Sequence, residues 1–263
     1  MRSTHTTRWG IALSGGGARG IIHIGVLKAL DEAGIKPVCI AGTSIGAVVG
    51  GLYAGGVAPS AMLDMLSKKT WFNMFRLKPS FHGFLHMKYL EKVLAENLPG
   101  DFKDLKIPFF AGATNLSTQQ YEVFSKGPLH KAILASASIP ILFGPVRIGD
   151  NKYVDGGVID NIPSRALQGH CDKILGVDVN HIVSSSPLDN IKEIAVEIFH
   201  IVVSNNSRVG LEQCDAVIQP DLGKEFDMLD FSKTQPLYEI GLAEGRKWVA
   251  SIRENAPSLI NQD

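Results

Sequence analysis

PVCIAGTSIGAVVGGLYA, residues 37–54, is an uncharged stretch that changes character in its middle. Pro37 to Ala41 reads as a short buried strand, since apolar residues run on without alternation after a proline. Gly42 to Gly46 reads as a sharp turn, and Ala47 to Ala54 as a buried helix. Within the turn, Gly42-Thr43-Ser44-Ile45-Gly46 matches G-x-S-x-G in the strand–turn–helix context that this pattern requires. The reason is steric. A strand that turns straight into a helix strains the turn residue and projects its side chain, and glycines two before and two after it remove Cβ atoms that would clash. Ser44 also falls at a helix N-terminus, where the dipole and free N–H groups favour developing negative charge. The plain alternative is a serine N-cap. A second alternative is a membrane span, because Val38 to Leu63 carries no charge and Gly42, Gly46 and Gly50 repeat every four residues. Pro37, Pro59 and the excess of small residues over leucine favour strand, turn and helix.

Outward from this stretch the pattern alternates strand and helix. Trp9 to Leu13 reads as a strand and Ile21 to Ala33 as a helix ended by Gly34. Ala61 to Lys69 reads as a short helix, Thr70 to His86 as irregular, and Met87 to Leu98 as an amphipathic helix. Strands are expected at Pro108 to Ala113 and Gln120 to Phe124, then a helix at Leu129 to Ser138 stopped by Pro140. Pro145 to Ile148 and Lys152 to Val154 form a hairpin over Gly149-Asp150-Asn151. Lys173 to Val179 is a buried strand, Ser184 to Asp189 a loop, Ile191 to Leu211 a long helix, Ala216 to Ile218 a strand and Pro236 to Glu254 a last helix. This predicts a three-layer α/β/α sandwich on a mostly parallel sheet, with 1–263 as one domain, a motif-bearing core at about 9–180, and C-terminal helices completing it.

The loop Gly15-Gly16-Gly17-Ala18-Arg19-Gly20 matches G-x-G-x-x-G between the first strand and its helix. A dinucleotide site needs an acid near the end of the second strand to hold a ribose. Here that strand ends Cys39-Ile40-Ala41-Gly42 without one, and no Walker lysine follows the loop. Glycine N–H groups, unshielded by side chains, can instead converge on one oxygen as an oxyanion hole, which nominates Gly15, Gly16 and Gly17. Arg19 is either a cation for a substrate phosphate or a solvated surface residue. Asp155-Gly156-Gly157 follows the hairpin. Alone it is a turn; beside the other two motifs, Asp155 is the best candidate base.

The ordered set GGGARG, GTSIG and DGG, with Asn161, Pro163 and the stretch Ala135-Ser136-Ala137-Ser138-Ile139-Pro140, resembles the patatin-like phospholipase family over roughly residues 9 to 180. The resemblance implies a catalytic dyad without histidine: Ser44 as nucleophile, Asp155 as general base, an acyl-enzyme released by water, and lipid ester substrates of the phospholipase A or lysophospholipase kind. An aspartate is a poor base at its ordinary pKa, but burial raises it. The competing chemistry is a Ser…Asp…His triad, for which His170, His181 and His200 follow Asp155; His200 sits at apolar spacing and reads as core. His23 reads as packing or ordering the glycine loop. A competing function is a catalytically weak lipid-binding or regulatory protein on the same fold.

Lysine plus arginine equal aspartate plus glutamate at 26 each, which argues against a nucleic-acid binder. Cys39, Cys171 and Cys214 have no paired spacing, so neither a disulfide framework nor a zinc site is expected, and free thiols fit the cytoplasm. No metal or cofactor is required. Residues 1–9 have no apolar h-region, so a cleaved signal peptide is not expected. Residues 65–90 hold no acid but interleave Lys68, Lys69, Arg76, Lys78 and Lys88 with Trp71, Phe72, Phe75, Phe81 and Phe84. That mixture is read as a peripheral contact with anionic membrane, or else as a core excursion with solvated lysines.

Overall fold

The computed structural model describes residues 7–67, 84–180, 189, 191–223 and 225–255. In chain order the regular elements are β1 (Trp9–Leu13), α1 (Ile21–Glu32), β2 (Cys39–Thr43), α2 (Ile45–Ala54), α3 (Pro59–Leu66), α4 (Phe84–Asn97), β3 (Phe109–Asn115), β4 (Gln120–Phe124), α5 (Leu129–Ser136), β5 (Val146–Ile148), β6 (Asn151–Asp155), β7 (Lys173–Val177), α6 (Ile191–Leu211), β8 (Ala216–Ile218) and α7 (Thr234–Asn255). Much of the basic and aromatic segment expected at a membrane, with Phe72 and Phe75, lies outside the described residues, as do His181 and most of the 184–189 loop.

Three boundaries differ from expectation for physical reasons. β2 runs on to Thr43, so strand passes to helix through Ser44 alone and not through a five-residue turn. α3 begins at Pro59, because a proline in the first turn has no N–H to lose. β6 pairs Asn151 with Ile148 and continues through Asp155, leaving a two-residue turn at Gly149-Asp150, where Gly149 takes φ 59°. Among the described residues no helix is long and apolar enough to cross a membrane; residues 38–63 fold into β2, α2 and α3 instead.

The sheet order is β5-β6-β3-β2-β1-β7-β8, with β4 also paired to β3. The five strands from β3 to β8 along this order are parallel, and β4, β5 and β6 join antiparallel at one end. Side chains alternate between the faces, as the pleat requires. Trp9, Ile11, Leu13, Ile40 and Phe109 enter the larger core, with α1 and α2. Ala12, Cys39, Ala41 and Ile174 enter a smaller one with Ile162, Leu167 and Leu211 of α6. Helices therefore cover both faces, which makes the three layers.

Register decides where the hairpin meets the parallel strands. Thr43 stands opposite Gly112 of β3, and Asp155 opposite Ala113, the next residue. A Cβ on Gly156 would lie 3.0 Å from Cγ2 of Thr43. β6 thus meets β2 head-on along β3, which brings Asp155 to the strand end where β2 delivers Ser44.

Candidate active site

Ser44 has φ 56° and ψ −126°. That is the first central position of a type II′ turn, which glycine normally takes, so a serine there holds strain. Its surroundings enforce it. A Cβ on Gly42 would collide with the carbonyl of Gly46, and one on Gly46 with the carbonyls of Leu13 and Ser14. The first turn of α2 therefore lies against both β1 and β2, with no room for another path. Ser44 is buried to 6% exposure, and its N–H donates to Oγ of Ser136 at 2.9 Å.

Asp155 is 1% exposed. Its Oδ1 accepts from the N–H of Gly157 at 2.9 Å. Its Oδ2 is buried without a partner in hydrogen-bonding geometry. Burial pushes its pKa up to about 7, while the nearby Ser44 side chain and the Gly157 N–H pull the other way. Catalytic hydrogen bonds are often long before substrate arrives and tighten afterwards. The Asp155 N–H donates to the carbonyl of Ser138 at 2.9 Å. The serine stretch 135–140 thus holds both residues by their backbones: Ser136 takes Ser44, and Ser138 takes Asp155.

The three loop glycines are not equivalent. The N–H of Gly15 is committed to Oδ1 of Asn161 at 3.0 Å, and the Gly15 carbonyl accepts from Nδ2 of Asn180 at 2.6 Å. The N–H groups of Gly16 and Gly17 have no acceptor among the described residues. Gly17 takes φ 57°, and a Cβ there would strike the Met228 carbonyl, which accepts from the N–H of Ala18 at 2.8 Å. Asn161 is held in turn by Ser207 of α6, its Nδ2 donating to Oγ at 2.9 Å, and Asn180 by Asp178 at 3.0 Å. Asn180, Asp178 and Ser207 carry no motif, and only the register of β7 and the packing of α6 bring them here.

Arg19 is not on the surface. It is 3% exposed, with Nε donating to the Phe226 carbonyl at 2.8 Å and Nη1 to Nε2 of His200 at 2.6 Å. Its guanidinium ties the glycine loop to α6 and to the chain before α7. Burial lowers its pKa to about 10, so it stays charged, and burial together with Arg19 itself lowers that of His200. His200 is then neutral at pH 7 and accepts at Nε2. His23, fully buried and lowered to about 4, donates from Nε2 to the Ser14 carbonyl at 2.9 Å, which orders the loop. His170 is exposed and packs its ring on Phe110. Among the described residues no histidine lines the space around Ser44 and Asp155.

That space has two parts. A narrow cleft is bounded by Ser44, Asp155, the loop glycines and Asn161, and lined further by Ile139, Phe199, Val203 and Met228. Beside it, an apolar pocket runs from Ser44 between Val48, Met87, Leu90, Ile139, Phe143 and Phe231. The second part is lined almost wholly by apolar side chains.

The family described as patatin-like phospholipase matches residues 11–167. The chain is 28% identical to a lysophospholipase, NTE1, of Kluyveromyces lactis, over 93% of this chain and 19% of that protein. It is 36% identical to an uncharacterized NTE family protein of Mycobacterium tuberculosis, over 68% of this chain and 51% of that one. It thus spans about a fifth of the fungal relative and half of the mycobacterial one. Among solved structures, VipD from Legionella pneumophila shares the fold, with a TM-score of 0.58 at 15% identity, over 95% of this chain and 67% of that one.

Proposed function

From the premise that the chain belongs to the patatin-like phospholipase family, we propose that it hydrolyses acyl esters of lipids, of the phospholipase A or lysophospholipase kind, with Ser44 as nucleophile and Asp155 as its base. The observation that carries this reading is the pairing of a strained, buried serine with a buried carboxyl whose Oδ2 is unpartnered, in one cleft. Oγ of Ser44 attacks the ester carbonyl while Asp155 takes its proton. The oxyanion that forms is held by the N–H groups of Gly16 and Gly17, which are unspent, together with that of Ile45 at the start of α2. Gly15 supports this loop through Asn161 and donates nothing to substrate. As the tetrahedral species collapses, protonated Asp155 gives its proton to the departing alcohol. Water then attacks the acyl-Ser44 ester, Asp155 takes the water proton, and Oγ recovers it when the fatty acid leaves. Two smaller barriers replace one large one. A pKa of about 7 suits both halves of this cycle.

The apolar pocket beside Ser44 supports an acyl chain over a short polar substrate. Arg19, turned inward on His200, is a brace for the loop in this reading and makes no phosphate contact. No step asks for a metal or cofactor.

The test is release of fatty acid from mixed phospholipids and p-nitrophenyl esters by wild type, Ser44→Ala and Asp155→Ala, with fluorophosphonate labelling alongside. Loss of about 10³-fold or more in both variants is expected, with labelling abolished in Ser44→Ala. Full activity in Ser44→Ala overturns the nucleophile. A wild type that takes no label and turns over no ester favours the lipid-binding, regulatory reading.

A further inference from the structure

Helix α6 has two apolar faces. The inner one carries Phe199 and Val203, which line the cleft beside Ser44. The outer one carries Ile191, Ile194, Ile198 and Ile201, which are 85%, 42%, 56% and 53% exposed. At 100° per residue these four, with Ala195 and Val202, fill an arc of about 120° that holds no charged residue, with Phe199 and Val203 about 100° and about 140° from its centre. Asn205 ends the stripe. Beyond it, Asn206, Ser207 and the Gly210 carbonyl are hydrogen-bonded to Gly157 and Val158, to Asn161 and to Ser164, so the following turns are tied to the sheet end.

A second element repeats this arrangement. In the stretch 139–143, Ile139 and Phe143 line the catalytic space, and Leu142 packs against the apolar cluster that Ile139 and Phe143 form with Phe199, Val203 and Met228. Between them Ile141 is 60% exposed at φ 74°. A β-branched residue there is a genuine outlier, and the strain holds an isoleucine out in water. Two separate walls of the catalytic space thus present isoleucine outward.

We propose that the outer face of α6, with Ile141, is the surface by which this protein rests on an uncharged or zwitterionic lipid surface, beside the mouth of the Ser44 pocket. This rests on the reading of that pocket as an acyl-chain site, since a hydrocarbon chain entering it must pass these walls. A second copy of the chain fits the stripe less well. It covers twelve residues, fewer than two heptads, where a coiled coil needs three or four. The absence of charge on the arc favours apolar insertion over attraction to anionic headgroups.

The test is sedimentation with phosphatidylcholine vesicles, using protein that carries Ser44→Ala so that hydrolysis does not alter the surface. Ser44→Ala protein is expected to bind, with little change in high salt. Adding Ile194→Gln, Ile198→Gln and Ile201→Gln, which keep helix propensity, is expected to lower partitioning by about tenfold or more. With Ser44 intact, the triple variant keeps wild-type turnover of a monomeric p-nitrophenyl ester. Ile198→Gln alone gives a smaller loss, should the triple variant melt early. Unchanged binding in the variants, no binding by the parent, or a wild-type dimer that the variants split would overturn the proposal. Ester turnover surviving Ser44→Ala would strike at the catalytic reading and leave the vesicle result standing.

Discussion

Ser44 and Asp155 face one cleft but are held there by opposite means. Ser44 is held by its backbone: a strand, a helix and two glycines force φ to 56°. Its strain does not depend on pH. Asp155 sits at a regular strand end and is held in tension by its side chain, a carboxyl taken out of water with one oxygen unpartnered. That tension exists only when the group is ionised. Each residue is costly to stability, one geometrically and one electrostatically, and this difference separates their variants.

The largest expected effect is at Asp155. Its pKa is about 3.8 unfolded and about 7 folded. Between these values the folded state binds more protons than the unfolded one, so this group makes stability fall as pH rises from about 4 to about 7. Above pH 7 the loss is complete, on the order of 4 kcal/mol as an upper bound. Asp155→Asn carries no charge to bury. It is expected to lose activity by about 10³-fold or more, yet to melt several degrees above wild type at pH 8 and to match it near pH 4. Wild-type kcat/KM should rise through about pH 7 to a plateau, because only the ionised carboxylate accepts the proton. Calorimetry of both proteins across this range checks the sign. A stability gap that does not change with pH would mean that Asp155 titrates in the folded protein as it does in the unfolded chain, so that burial costs its charge nothing.

Ser44→Gly sharpens the other side. Glycine takes this backbone conformation freely, so removing the strain is expected to stabilise by about 1 kcal/mol after the added freedom of the unfolded chain is set against it. The gain should be the same at pH 5 and pH 8, while ester turnover disappears. A gain that shrank as pH rose would tie the Ser44 hydroxyl to the Asp155 charge, because a hydroxyl that donates to the carboxylate favours its ionised form.

The two residues also differ in how far the sequence reveals them. The Ser44 elbow is local: strand, turn, helix and both glycines lie within residues 37–54, and periodicity with turn chemistry is enough to read it. The sandwich follows from the same alternation. Asp155 is readable as a residue in a turn, but its place is not, because that depends on β6 meeting β2 head-on along β3. Arg19 shows the limit most clearly. Arginine in a polar loop is read as exposed or as a ligand contact, yet here it is buried on His200, 181 residues away. The residues that line and brace the site, Phe199, Val203, Ser207 and Asn180, lie in the part of the chain that carries no motif. Side-chain pattern identifies α6 as a helix there but does not say over which strand end it lies.

Ser136 links the two modes of holding, and its effect on turnover should be the smallest. Its Oγ accepts from the N–H of Ser44, while two residues later the Ser138 carbonyl accepts from the N–H of Asp155. Ser136→Ala would leave the Ser44 N–H buried and unpaired, at a cost of about 1–3 kcal/mol. If the strained elbow is set by Gly42 and Gly46 alone, that cost falls on stability and the rate stays near wild type. If Ser136 helps to aim Oγ at Asp155, kcat should fall by about tenfold as well, with KM for a soluble ester little changed. Ser136→Thr, which keeps the acceptor oxygen, is expected to restore kcat wherever its extra methyl group fits. A variant that is less stable but fully active would assign the elbow to backbone sterics alone and leave the serine stretch a scaffold. A loss of kcat rescued by threonine would make Ser136 a positioning residue, and would place the control of Ser44 partly on α5, outside the strand–turn–helix segment that forms the elbow.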